Sequence, residues 1–252
     1  VFLQEMSIYF RPMLWPTVVS IFVFIMLMSF GTWQIKRLFW KEALIDRYMS
    51  QSQSNPIKLP LELKRSDVKE FKSVEVKGSF SHKDEIYING KTFEGNAGFH
   101  VITPFKLTDN SFILINRGWV SEGYRDPLKR QFSLIKGEIL IKGILRFPQV
   151  KGYFVPENDG KRGFWFTIIP NQIFTFLNIV AEPVINNYYI DALRKGSKLT
   201  LPIGVTGKPK LRNQHLSYAV TWYGLALALL FVYLSYHTSV GRLNFRKRNS
   251  NG

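Results

Sequence analysis

Two stretches without a charged residue constrain this chain more than anything else in it. Between Arg11 and Lys36 lie 24 positions with no Asp, Glu, Lys or Arg, and between Arg212 and Arg242 lie 29. Each exceeds the roughly 20 residues that an α-helix needs to cross a bilayer. Hydrocarbon cannot hydrogen-bond a bare backbone, and a helix satisfies its own. Transmembrane helices are therefore predicted over residues 12–35 and 213–238. Ser29 and Gly31 form a faint small-x-small pair, but the first apolar run is longer than a cleaved signal's core of about 7–15 residues, so it reads as an anchor. Two spans put both termini on one side. Lys and Arg do not say which side. Arg11, Arg242, Arg246, Lys247 and Arg248 flank the terminal ends; Lys36, Arg37, Lys41, Arg47, Lys198, Lys208, Lys210 and Arg212 flank the loop ends. The larger loop-side number carries little weight, because the positive-inside rule governs short loops and this one is long.

The net charge is +16 and there is no cysteine. Without cysteine there is no disulfide framework, thiolate zinc site or CxxC pair. The four histidines, His82, His100, His215 and His237, form no HxH or HxxxH pair, so no copper or zinc site is expected. The cations are scattered, with no RNP-like or helix-turn-helix pattern. That argues against nucleic acid and for anionic lipid head groups as their partner. P-loop, GxGxxG, GxSxG and HExxH motifs are all missing, and neither span holds a charged residue, so no enzyme or transporter chemistry is expected.

Between the spans the period changes. QIKRLFWKEALIDRYMSQ keeps helical spacing and reads as an interfacial extension over residues 36–50, ended by QSQSNPIKLP. From Ser73 the period is two. SVEVKGSF and EIYING read as strands, the second ending in an Asn-Gly turn. GFHVITPFKL and SFILINRGWV read as a hairpin through Thr108, Asp109 and Asn110. GEILIKGILRF, GFWFTII and VINNYYIDAL are further predicted strands, and PNQIFTFLN a short helix. Residues 151–162 read as a polar loop. A β-rich barrel- or sandwich-like domain is thus predicted over residues 51–212, followed by the second span and a basic tail over residues 239–252.

Three motifs in order carry a resemblance. GTWQIKR, with Gly31, Trp33, Gln34 and Arg37, closes the first span. INRGWV, with Arg117, Gly118 and Trp119, closes a strand. QHLSYAVTW opens the second span. Together with the topology they resemble the Surfeit-locus-protein family of cytochrome c oxidase assembly factors along the whole chain. The resemblance implies a non-enzymatic assembly factor for haem–copper oxidases that binds haem a and aids its insertion into subunit I. It implies cytochrome c oxidase subunit I as partner, with haem A synthase a further candidate. It also implies cytoplasmic termini and a periplasmic central domain. The chain starts at Val1 with no basic, Ser-rich presequence before the first span, which points to a bacterial inner-membrane member. A cofactor-free scaffold that stabilises nascent subunit I is the competing reading.

Because the termini share a side, the end of the first span and the start of the second meet. Trp33, Gln34, Arg37, Arg212 and His215 should then lie at one level, with Tyr218, Ala219 and Trp222 just below. His215 is the candidate haem iron ligand, and Arg37 and Arg212 are candidates for the propionates. Ala219 would leave room for a flat ring that Trp222 borders. An interfacial belt explains His215 and Tyr218 equally well, but Trp222 lies about 10 Å deeper at 1.5 Å per residue. His237, about 33 Å from His215 by the same rise, cannot share its iron and reads as interfacial. Gly224 and Ala228 have the spacing that lets helices approach. Arg117, Gly118 and Trp119 read as structural (a carboxylate partner, a tight strand end and a packing ring), with direct contact to a client protein as the alternative. Gly31 is a packing position or a haem contact.

Overall fold

A computed structural model describes residues 6–59, 69–179, 183–194, 196, 200–206 and 213–247. The chain divides into two compact units, Val1–Leu44 with Leu211–Gly252, and Ile45–Lys210.

The first unit is an antiparallel helical hairpin. Strand β1 (Met6–Phe10) leads into helix α1 (Leu14–Ser52), where Pro16 sits in the first turn and its missing N–H removes no intrahelical bond. Helix α1 runs unbroken through the span and the segment after it, and stops in the polar run before Pro56. The returning helix is α3 (His215–Ser239), followed by strand β9 (Leu243–Lys247). Strands β1 and β9 pair antiparallel, from Met6 with Lys247 to Phe10 with Leu243. The sequence suggested only a basic tail here; strands of five residues leave too short a pattern to read. Both helices are long and apolar enough to cross a membrane.

The second unit is built on one seven-stranded sheet. Its strands are β2 (Ile57–Leu59), β3 (Ser73–Phe80), β4 (Ile86–Phe93), β5 (Asn96–Leu107), β6 (Phe112–Ser121), β7 (Ile139–Arg146) and β8 (Tyr189–Ala192). The order is β2-β3-β7-β8-β6-β5-β4, and an added β3–β5 pairing returns the sheet on itself through five strands. Two pairings are parallel, β2 with β3 and β6 with β8. This is the barrel- or sandwich-like β-domain that the alternating pattern predicts. One core, with Val74, Val76, Phe105, Ile113, Ile115 and Ile190, is formed by residues of β3, β5, β6, β7 and β8. A second, with Ile88, Ile102, Leu114, Trp165 and Ile168, packs beneath helix α2 (Pro170–Phe176) through Ile173 and Phe174.

The β5–β6 hairpin turns at the predicted residues: Asp109 Oδ1 accepts from the Ser111 N–H at 3.0 Å, and Asn110 takes φ +66°. Two local predictions fail. Asn89-Gly90 is not a turn but a bulge inside β4, where the register against β5 shifts between Ile88 and Lys91. The chain reverses later, at Glu94 and Gly95, both at positive φ. GFWFTII is not a strand; Trp165 makes a single bridge to Ile88, and the segment serves to bury Trp165 and Ile168.

Candidate functional site

Seen along the helices, the seam of the hairpin follows steps of three or four residues and their sums. Met13, Thr17, Leu27, Gly31 and Gln34 of the first segment meet Ala219, Tyr223, Ala226, Tyr233 and His237, together with His215, of the second. Leu27, Gly31, Ala219 and Ala226 are buried. A Cβ on Gly31 would lie 2.6 Å from a ring carbon of Tyr223, so only glycine admits the ring. The Tyr223 hydroxyl reaches Thr32 Oγ1 at 3.2 Å, leaning toward its own helix's N-terminus as helical side chains do. Lower down, Thr17 Oγ1 and the Tyr233 hydroxyl are 2.6 Å apart. Gly224 and Ala228, by contrast, are exposed and take no part in the seam.

His237 is fully buried. Its Nδ1–H donates to the Tyr233 carbonyl at 2.9 Å, and its Nε2 accepts the Met13 N–H at 3.2 Å. It therefore satisfies an orphan donor at the start of α1, and Phe10, Tyr233 and Tyr236 pack around its ring.

At the opposite end, His215 and Gln34 come together. The His215 Nδ1–H donates to Gln34 Oε1 at 2.7 Å. This fixes the tautomer and leaves Nε2 with its lone pair and no hydrogen bond among the described residues. His215 is half-buried. Nearby in sequence, Asn213 Oδ1 is buried without a hydrogen-bond partner among the described residues, an unfinished polar spot of the kind that a bound group completes. The other predicted residues are arranged differently. Trp33 is 57% exposed, and Arg37 stacks on the Trp40 ring at 4.0 Å. Tyr218 is exposed, and Trp222 packs on Phe30 with ring centroids 5.0 Å apart. Arg212 lies outside the described residues. Ala219 is 1% exposed, so the room the sequence suggested beside it is taken by the helix seam. The imidazole and its orienting amide suit a haem iron ligand; Ala219 does not supply a cradle for the ring.

In the β-domain the INRGWV motif is built into the fold. Arg117 Nη1 donates to Glu85 Oε1 at 2.6 Å, and Arg130 Nη2 donates to Glu85 Oε2 at 2.6 Å. All three side chains are at most 6% exposed. Burial alone would raise the Glu85 pKa, but the Arg130 hydrogen bond and the two guanidinium charges outweigh it and hold the carboxyl below its ordinary range. Gly118 sits at φ +115°, and a Cβ there would lie 2.0 Å from the Ile203 carbonyl oxygen. Trp119 pairs through its backbone with Ile203 and packs on Phe93 at 5.5 Å. Beside this motif, Asn116 Nδ2 donates to Asp191 Oδ1 at 2.7 Å and lies 3.2 Å from His100 Nδ1. His82 and His100 are the two histidines of the β-domain. Each proves to be satisfied, His82 through Ile135, Arg117 and Glu85. What sequence reading missed is Tyr223, Tyr233 and His237 as seam residues. Their three-and-four spacing was present, but it is masked in helices apolar on every face.

Comparison with known proteins places this architecture. The sequence model of the SURF1 family matches residues 21–227. Surfeit locus protein 1 of Takifugu rubripes is 32% identical over 222 residues, spanning 81% of this chain and 90% of the relative. The Homo sapiens protein of the same name is 34% identical over 220 residues, spanning 81% and 71%. A SURF1-like protein of Monosiga brevicollis is 33% identical over 216 residues, spanning 81% and 80%. With two apolar terminal helices, a β-rich domain between them and relatives along most of its length, this chain belongs to the SURF1 family, the family of cytochrome c oxidase assembly factors.

Proposed function

We propose that this chain is a non-catalytic assembly factor that binds haem a at the open end of its membrane hairpin and assists its insertion into oxidase subunit I. One observation carries the reading: Gln34 takes the Nδ1 proton of His215 and leaves Nε2 presented as a ligand atom. When bound, haem a supplies the redox chemistry of the finished oxidase; the chain's task is to hold and orient it. Gln34 fixes the imidazole's tautomer and orientation, and Thr32 with Tyr223 keeps the two helices in register just below. The proposed orientation has termini inside and the β-domain outside an inner membrane.

The scaffold reading has its own support. Ala219 is closed into the seam, and Trp33 and Arg37 point to other surroundings. One experiment separates the two. The chain is co-expressed with haem A biosynthetic enzymes, purified in mild detergent, and its absorption spectrum recorded. Haem should co-purify, vanish in His215→Ala, and bind about 10–100-fold more weakly in Gln34→Leu, the usual loss when a ligand's orienting partner is removed. Cofactor-free protein, or an unchanged spectrum in His215→Ala, leaves the scaffold. A C-terminal reporter should behave as cytoplasmic; a periplasmic signal reverses the orientation.

A further inference from the structure

Arg117 and Gly118 lie inside β6, not at the strand end that the sequence suggested. Because Gly118 has no Cβ, the segment around Ile203 can run directly across β6. That crossing walls a cavity of about 270 Å³, lined by Arg117 and Ser133 on one side and by Arg194, Leu201 and Pro202 on another. Phe80, Phe132, Ile135 and Ile141 make the rest of the lining largely apolar.

The charges at this cavity do not balance. Arg117 and Arg130 share the single carboxylate of Glu85, and both guanidinium groups also hydrogen-bond Ser133, Arg117 to its carbonyl and Arg130 to its hydroxyl. Two buried cations against one anion leave an excess positive charge beneath the Ser133 wall. His82, between the Ile135 carbonyl and Arg117, brings no second anion. Arg194, half-buried on the other wall, has no ion pair among the described residues. Burial first, and then the neighbouring Arg130 charge, press the Arg117 pKa down by more than Glu85 raises it.

We propose that this cavity binds a carboxylate borne on a short apolar chain, with the carboxylate toward Arg117 and Arg194 and the chain along Phe80, Phe132 and Ile135. The excess charge selects the anion and the apolar walls select the chain, the pairing of features that marks small-ligand pockets. The volume, near the lower bound for such pockets, suits a ligand of about ten heavy atoms. A free medium-chain fatty acid and the C-terminal carboxylate of an apolar polypeptide share this chemistry. The site lies within the β-domain and is independent of the haem reading.

The test uses the full chain in nanodiscs, with empty nanodiscs as reference, titrated with hexanoate by calorimetry. Hexanoate should bind saturably at one site per chain, with hexan-1-ol at least ten-fold weaker and hexylammonium unbound. Arg194→Gln, which touches no buried network, should weaken hexanoate at least ten-fold, and Ile135→Asp, which brings a carboxylate of its own, should do the same. N-acetyl-leucine, of about the size the cavity suits, is the second arm. Tighter binding than hexanoate, lost on amidation of its C-terminus, assigns the site to a polypeptide end; tighter hexanoate assigns it to a fatty acid. Absence of hexanoate binding, binding no stronger than hexanol, or indifference to Arg194→Gln overturns the proposal.

Discussion

The hairpin and the β-domain solve the same problem, specifying one arrangement, with opposite materials. In the β-domain two apolar cores hold the sheet, and buried ions sit among them as expensive, hydrogen-bonded groups that share one carboxylate. In the hairpin nearly every side chain is apolar, so apolarity distinguishes nothing; lipid is as good a neighbour as the other helix. Register there comes from a few polar contacts, Gln34 with His215, Thr32 with Tyr223, Thr17 with Tyr233 and Met13 with His237, and from one glycine. Polar contacts are thus a liability that must be satisfied in one unit and the positional code of the other. Substitutions should accordingly cost much where a buried charge loses its partner and little where a single seam bond is cut.

The largest effect belongs to Glu85→Gln. It leaves Arg117 and Arg130 buried together without their shared anion. Breaking a buried pair from one side costs about 3–5 kcal/mol. Hydrogen exchange of the β6 amides, followed by mass spectrometry, should accelerate about 10²–10⁴-fold, with α3 unchanged. Unchanged β6 protection would mean that the network adds nothing to the domain, and the contrast between the units would fail.

His100 adds a pH dependence on the same side of the comparison. Burial, helped by the Lys91 charge, pushes its pKa down to about 4, and Asn116 donates to its Nδ1. The unfolded value is about 6.5. A folded pKa below the unfolded one means the unfolded chain binds the proton more readily, so stability is full above about pH 6.5 and falls as pH drops toward 4. At 1.36 kcal/mol per unit the loss is on the order of 3 kcal/mol. β-domain unfolding should therefore weaken across that window in the native chain, and the slope should flatten in His100→Asn. An equal slope in the variant assigns the acid sensitivity elsewhere.

How far the sequence foretold these features follows the same division. The spans and the β5–β6 hairpin were legible because charge-free length and strict alternation are long-range patterns, and Asp109 and Asn110 have local reasons to turn. Asn89-Gly90 misled because a turn-forming pair can also make a bulge, and the β4–β5 register decided between them. GFWFTII misled because an apolar run of seven residues fits a buried loop as well as a strand. At the candidate site, the meeting of Gln34 with His215 followed from shared termini alone. The outward turn of Trp33 did not, because one residue along a helix is a rotation of about 100° and nothing in an all-apolar helix reveals its phase.

Within the hairpin, Gly31→Val should have the larger effect. The new Cβ meets the Tyr223 ring at 2.6 Å, and overpacking of this kind costs about 1–3 kcal/mol. The chain has no cysteine, so spin labels at Phe39→Cys and Ser217→Cys, both exposed positions, report the helix separation cleanly. The distance distribution should broaden in Gly31→Val and narrow again when Tyr223→Ala is added. A distribution unaffected by either change would show that the glycine is not what admits the ring.

The smallest effect is the one that most sharply tests the contrast. Thr17 and Tyr233 meet at 2.6 Å inside the membrane-spanning part of the hairpin. If low polarity alone set the strength of a hydrogen bond, this one would rival the Glu85 network. In the separated helices, however, Thr17 can turn its hydroxyl back to its own helix's carbonyls, as Thr32 does to Met28 at 2.9 Å, so the net gain on pairing is small. A double-mutant cycle with Thr17→Val and Tyr233→Phe, read from detergent-induced unfolding of the reconstituted chain, should give a coupling of about 0.6 kcal/mol. A coupling above about 2 kcal/mol would put the seam bonds on the footing of the buried ions. The hairpin would then be held together by its polar contacts, rather than merely kept in register by them.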